Sequence, residues 1–217
     1  MPFENLSIHC GEAIQLDEAW LFDKIVHRRR GGFCYELNGL FSALLRQLGF
    51  TVDRMAAHAY DPHGVEGIPF DHMALRVTLD QPWLADVGFG DCFIQPIPLR
   101  PDSVHEDLRR SYQLITSGDR LELQELHGDH WKPQYIFHQR KWRLSDFQPG
   151  CTYHQTSPES PFAKRRLCTH LTNDGRVSLS ADRHIVTHAD GSRTEQTVDD
   201  AGFDALLASE FGISSYP

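Results

Sequence analysis

Cys34, His72 and Asp86 are the residues whose types and spacing suit covalent chemistry in this 217-residue chain. Cys34 follows the basic, glycine-broken segment Arg29-Arg30-Gly31-Gly32-Phe33 and opens an apolar-periodic run. Leu37, Leu40, Phe41, Leu44, Leu45 and Leu48 fall at helical spacing, with Gly49 as the stop. The spacing therefore predicts Cys34 in the first turn of a helix, where unpaired N–H groups and the helix dipole favour negative charge. With an imidazolium nearby, that setting lowers a thiol pKa. The other reading is a small buried cysteine at a helix start.

Downstream, Asp71 to Leu79 reads as a strand, Asp80-Gln81-Pro82 as a turn, and Trp83 to Gly90 as a returning strand that ends in a glycine-rich loop. His72 lies near the start of the first strand and Asp86 near the end of the second, so antiparallel pairing makes them neighbours. Asp86 sits among Leu84, Ala85 and Val87, where an unpaired carboxylate is costly, so a partner is expected. Singly, each residue also fits an edge or capping role. Together they compose a nucleophile, a base and the carboxylate that orients the base.

These elements fall into three parts. Residues 1–49 read as helical and carry Cys34, with a first helix over Asp17–Arg29. Residues 50–147 read as β-rich and carry His72 and Asp86. Their candidate strands are Thr51–Tyr60, His72–Leu79, Trp83–Val87, Tyr112–Thr116, Leu121–Leu126 and Gln134–His138, with loops at Gly64–Pro69 and Asp91–Arg109. Residues 148–217 read as a small α/β lid: a Pro-rich entry, turns at Asn173-Asp174-Gly175 and Asp190-Gly191, and a last helix over Asp199–Phe211. The class is α+β.

Pro2-Phe3-Glu4-Asn5-Leu6, Arg30-Gly31-Gly32-Phe33-Cys34-Tyr35-Glu36-Leu37-Asn38, His72 and Asp86-Val87-Gly88-Phe89-Gly90 together resemble, in order and spacing, the arylamine N-acetyltransferases. The resemblance runs along almost the whole chain. It implies a central β barrel-like part with a cysteine-protease-like Cys-His-Asp arrangement. It makes Cys34 the acetyl acceptor, His72 its base and Asp86 the orienter. Arg30 and Glu4 match charged positions that brace the active-site region in the family. Phe89 matches a position that touches the arene, with Phe3 and Phe33 as further acceptor contacts. Tyr153, Ser157 and Glu159 fall in the region that matches the coenzyme site, so acetyl-CoA is the implied cosubstrate and an aromatic amine the implied acceptor. The family carries more helical sequence before Pro-Phe-Glu-Asn than this chain does. The shorter N-terminus is expected to leave apolar helix surface for a partner, which keeps a homo-oligomer open.

Two further readings stand beside this one. The Cys, His, Asp order also serves cysteine hydrolases and transglutaminase-like enzymes, and a shortened relative can keep a fold without turnover. A net charge of −9 argues against general nucleic-acid binding. No apolar run reaches membrane-spanning length and no signal pattern is present. Five cysteines, odd in number and without a C-x-x-C pair, argue against a disulfide framework and suit a reducing, cytoplasmic setting. The thirteen histidines include no H-E-x-x-H context, so no metal is expected.

Overall fold

The computed structural model describes residues 1–108 and 110–214. Arg109 and residues 215–217, where the expected Asp91–Arg109 loop and the third part end, lie outside them. The chain opens with the strand β1 (Phe3–Glu4) and the short helix α1 (Leu6–His9). Helix α2 (Glu18–Phe22) runs on as a π-helical turn over Asp23–His27. Asp17 caps α2, its carboxylate accepting the N–H groups of Ala19 and Trp20 at 3.0 Å each. Helix α3 (Cys34–Gln47) begins at the cysteine, and Gly49 follows it with φ +92°.

Strands β2 (Thr51–Ala59), β3 (His72–Thr78), β4 (Pro82–Ala85), β5 (Ile97–Pro98), β6 (Ser103–Glu106), β7 (Ser111–Ser117), β8 (Arg120–His127) and β9 (His130–Phe137) follow. They form one antiparallel sheet in the order β5-β4-β3-β2-β9-β8-β7-β6, which curls into a nearly closed barrel. Alternation along the strands sorts the side chains. On β3, Ala74 joins Met55, Ala57, Leu114, Leu123, Tyr135 and Phe137 inside the barrel. Leu75 and Val77 pack outside it with Val52 and Ala85, against Phe41 and Leu45 of α3. The helix that begins at Cys34 is thus pressed onto the strand that begins at His72.

Helix α4 (Gln148–Thr156) follows a short 3-10 turn, and α5 (Pro161–Lys164) leads into β10 (Leu167–Thr172), β11 (Gly175–Ser180), β12 (Arg183–His188), β13 (Arg193–Thr197) and α6 (Asp200–Phe211). The second sheet has the order β1-β10-β11-β12-β13, so the N-terminal strand closes the C-terminal sheet. Phe203, Leu207 and Phe211 of α6 cover Cys168, Val177 and Leu179 of that sheet, together with Leu6 of α1.

Three expectations change. The Asp91–Arg109 stretch carries β5 and β6, and the Pro-rich entry at residue 148 is the helix α4. The Asp17–Arg29 helix divides into an α and a π segment. Phe22, Val26, Leu44 and Leu48 are exposed. Among the described residues, no helix is long and apolar enough to cross a membrane.

Candidate active site

Three elements deliver the three residues. Cys34 is the first residue of α3, His72 the first of β3, and Asp86 follows the last residue of β4. The β3–β4 register pairs Leu75 with Ala85, which brings Asp86 alongside the start of β3. His72 Nε2 lies 2.7 Å from Asp86 Oδ2, and the Asp86 side chain is fully buried. Cys34 and His72 line one cavity of about 580 Å³.

Asp86 is held from all sides. Its Oδ1 accepts Asn38 Nδ2 at 2.8 Å and the Gly88 N–H at 2.9 Å. Burial pushes this carboxyl up, but His72, Asn38 and the Gly88 N–H outweigh burial and keep it below its ordinary value. Asn38 also donates to the Met73 carbonyl at 2.6 Å and accepts the Val87 N–H at 3.0 Å, which fixes the orientation of its amide. An acceptor-only carboxylate beside Nε2 makes that nitrogen the protonated one. Nδ1 is then the basic nitrogen of His72.

The thiol departs from the sequence expectation. Cys34 is buried, and burial pushes its pKa well above the ordinary value. A hydrogen bond with the Met73 backbone opposes the shift, while the carboxylates of Asp71 and Asp86 add to it. A thiolate here needs its proton to move to a nearby base, and His72 lines the same cavity.

The loop after β4 can lie on α3 only because residue 88 has no side chain. A Cβ on Gly88 would sit 2.8 Å from Cys34 Cα and 2.7 Å from Asn38 Nδ2. Phe89, next along, packs edge-on to the His72 ring at 5.0 Å, and Tyr135 packs against both. Phe3 and Phe89 line the cavity, as do Tyr153 and Glu159. Phe33 does not. It is fully buried and packs against Tyr35 and Phe162, because the helix start turns its ring inward. Ser157 also lies outside the lining. It ends α4, and its hydroxyl accepts the Glu159 N–H at 3.2 Å.

Sequence reasoning missed Asn38, Asp71 and His154. A signal existed for Asn38, a polar residue four positions from Cys34 and therefore on the same helix face. Arg30 and Glu4 form a buried pair at 2.9 Å, joined by Lys24 and Glu36 beneath the start of α3. Among the described residues, no group of three or more His, Cys, Asp or Glu side chains is placed to hold a metal ion.

The sequence model of the N-acetyltransferase family matches residues 1–215. The chain is 34% identical to an arylamine N-acetyltransferase / N-hydroxyarylamine O-acetyltransferase of Salmonella typhimurium, over 98% of this chain and 77% of that protein. Its fold superposes on the solved structure of an arylamine N-acetyltransferase from Salmonella typhimurium with a TM-score of 0.93 at 32% identity, covering all of this chain and 81% of that one. The arylamine N-acetyltransferase of Mycobacterium marinum in complex with CoA matches with a TM-score of 0.90 at 31% identity, over 99% of this chain and 82% of that one.

Proposed function

The chain belongs to the arylamine N-acetyltransferase family, and from that premise we propose that it carries an acetyl group from acetyl-CoA to arylamines, arylhydrazines or N-hydroxyarylamines. The observation that carries this reading is the 2.7 Å His72–Asp86 contact at the cavity that Cys34 also lines. Cys34 is the nucleophile, His72 the base, and Asp86 the group that holds the tautomer.

The reaction is a double displacement. His72 Nδ1 takes the Cys34 proton, and Asp86 stabilises the imidazolium that forms. The thiolate attacks the thioester carbonyl of acetyl-CoA, with backbone N–H groups at the start of α3 on hand for the oxyanion. The bond to the coenzyme sulfur breaks, and the departing thiolate takes the proton from the imidazolium. An acetyl-cysteine remains. The acceptor nitrogen then attacks this thioester, His72 receives a proton from it, and the Cys34 thiol is regenerated. Exchange of one thioester for another is close to balanced, and the amide product draws the reaction forward.

Apolar walls from Phe3, Phe89, Pro161 and Phe162 suit a flat aromatic acceptor. Tyr153 and Glu159, at the same cavity, are the proposed coenzyme contacts. Five free thiols suit a reducing, cytoplasmic setting. The test is the intact mass of the protein after mixing with acetyl-CoA and no amine. One acetyl group on Cys34, absent in Cys34→Ser and discharged by an added arylamine, is the expected result. A reactive Cys34 that takes no acetyl group would remove acetyl-CoA as the donor and favour a hydrolase.

A further inference from the structure

A second buried polar chain borders the cavity. His154, on α4, places Nε2 2.9 Å from Asp71 Oδ1 and Nδ1 3.0 Å from Ser160 Oγ. Ser160 Oγ also accepts the Phe162 N–H at 3.2 Å and caps α5. One proton arrangement satisfies every group: Nε2–H donates to the Asp71 carboxylate, the Ser160 hydroxyl donates to Nδ1, and Ser160 keeps a lone pair for Phe162. Ser160 is fully buried and no nucleophile. Both His154 nitrogens are engaged, so this imidazole is no free base. Its effect must pass through what Asp71 holds.

Asp71 immediately precedes His72, and its carbonyl receives the Tyr35 hydroxyl at 3.0 Å and the Cys34 thiol at 3.9 Å. Phe70, one residue earlier, has φ +59°, a conformation that a bulky residue keeps only where its surroundings over-determine it. Those surroundings are identifiable. Tyr35 donates to the Phe70 carbonyl at 2.7 Å, and the Phe70 ring packs on Trp142 and Phe147 at 4.8 and 5.3 Å. Helix α4 grips the same peptide at two points four residues apart, on one face. Gly150 comes so near that a Cβ there would lie 2.5 Å from the Phe70 carbonyl oxygen, and His154 holds Asp71.

We propose that His154 is a positioning residue for acyl transfer, holding through Asp71 the strained peptide that aims His72 and receives the Cys34 thiol. Its rate consequences rest on the acetyltransferase reading, but its effect on the thiol does not. The charged groups around that thiol are Asp71 on the same peptide and Asp86 beyond His72, with Tyr35 and Cys151 packed alongside.

The test compares the parent protein with His154→Ala, His154→Gln, Asp71→Asn and the His154→Ala/Asp71→Asn double variant. Two rates are read: alkylation of Cys34 by iodoacetamide across pH, and acetylation of Cys34 by acetyl-CoA. His154→Ala should slow acetylation roughly ten- to hundredfold, as a misplaced reacting group does. It should lower kcat while the amine KM changes less than about threefold, since the loss lies in the transition state. His154→Gln, whose amide still donates to Asp71, should recover most of the rate. The double variant should be no slower than the worse single one, because the two residues act in series. A His154→Ala protein with the parental alkylation profile and acetylation rate overturns the proposal, as do multiplicative losses in the double variant. Should His154→Ala fail to fold, Ser160→Ala decides: severalfold slower acetylation upholds the proposal, and a parental rate overturns it. If the parent alkylates at Cys34 but accepts no acetyl group, the functional reading falls. The alkylation profiles then still decide for or against His154.

Discussion

At the scale of single residues, the site turns on which His72 nitrogen carries the proton, and Asp86 settles it. Its Oδ1 is committed to two N–H donors, Asn38 and Gly88, so Oδ2 is the atom left for His72. In Asp86→Asn the same two donors would hold the amide oxygen and turn the NH₂ toward Nε2. Nε2 would become the acceptor and Nδ1 the protonated nitrogen, unable to take the Cys34 proton. Turnover should fall by roughly 10³- to 10⁴-fold, as in other triads whose carboxylate becomes an amide. Steady-state kinetics check this, with circular dichroism to show that the variant is folded. The same substitution reports on stability. Burial raises the Asp86 pKa, but His72, Asn38 and Gly88 outweigh it, so the folded value lies below the ordinary 3.8. Its stabilisation is therefore present above the unfolded value and is lost as pH falls through the folded one. The Tm difference between the protein and Asp86→Asn should be wide at neutral pH and narrow in strong acid. An equal difference at both ends would mean that the folded carboxyl is not depressed. Asn38 is the partner whose loss should be felt next. Asn38→Ala strips a buried carboxylate, a carbonyl and an N–H of their partners, and should cost about 1–3 kcal/mol by urea unfolding.

At the scale of elements, the site is an arrangement of starts and ends: α3 at its first residue, β3 at its first residue, and the loop that leaves β4. Their spacing depends on Gly88, which lets that loop touch the α3 backbone. Gly88→Ala would put a methyl group 2.8 Å from Cys34 Cα and 3.0 Å from the Cys34 carbonyl oxygen. Backbone cannot yield as a flexible side chain can, so Asp86 should move away from His72. The expected result is a loss of about 1–3 kcal/mol of stability, typical of overpacking, together with slower acetylation of Cys34. Normal acetylation by mass spectrometry would show that the contact has slack. The same elements explain what was legible in sequence. Strands β7 and β8 alternate in burial as their sequence alternates, whereas the apolar run of α3 is only partly buried: Leu37 is covered while Leu44 and Leu48 face outward. Strand β5 has no such pattern: Ile97-Pro98 pairs only because the barrel edge offers Trp83 and Leu84, and proline is tolerated at an edge. Helix α4 opens with a proline in its first turn, and its glycine makes a close approach. Of its inward side chains only Cys151 is apolar, while His154 and Gln155 hydrogen-bond to Asp71 and to the Ile14 N–H, so no apolar stripe announces it. Within the site, Cys34, His72 and Asp86 stand out because such residues are rarely left on apolar elements without a task. Asp71 and His154 meet across 83 residues of sequence, a pairing that only the packing of α4 on Phe70 reveals.

At the scale of the whole molecule, the β1 strand is a tie between the ends of the chain. Phe3 and Glu4 pair with Thr169 and Cys168 of β10, while Phe3 also bridges to Gly32 just ahead of Cys34. Glu4 then turns inward to a closed group of charges. Its carboxylate meets Arg30 at 2.9 Å and Lys24 at 3.6 Å, and Lys24 meets Glu36 at 2.6 Å. Glu4, Lys24 and Glu36 are fully buried, so two cations and two anions share one dry site beneath the start of α3. Such a group adds little stability over an apolar core of the same shape, because desolvation offsets the attraction. It is nevertheless costly to unbalance. Glu36 shows the tension: burial raises its pKa, and Glu4 adds to the rise, while Lys24 and the Phe33 N–H oppose it. Glu36 also accepts that N–H at 3.0 Å, one residue before Cys34, so the charge balance reaches the start of α3 through a single hydrogen bond. Glu4→Gln would remove one anion and leave Arg30 and Lys24 facing Glu36 alone. The expected loss is about 3–5 kcal/mol, the usual cost of breaking a buried pair by removing one partner. Because β1 belongs to the second sheet, the damage should spread from the helical part to the C-terminal end. Hydrogen exchange should show weaker protection in β10 as well as at the start of α3. A loss confined to α3 would mean that β1 is a passenger, and that the two ends of the chain are tied by α1 and Leu6 instead.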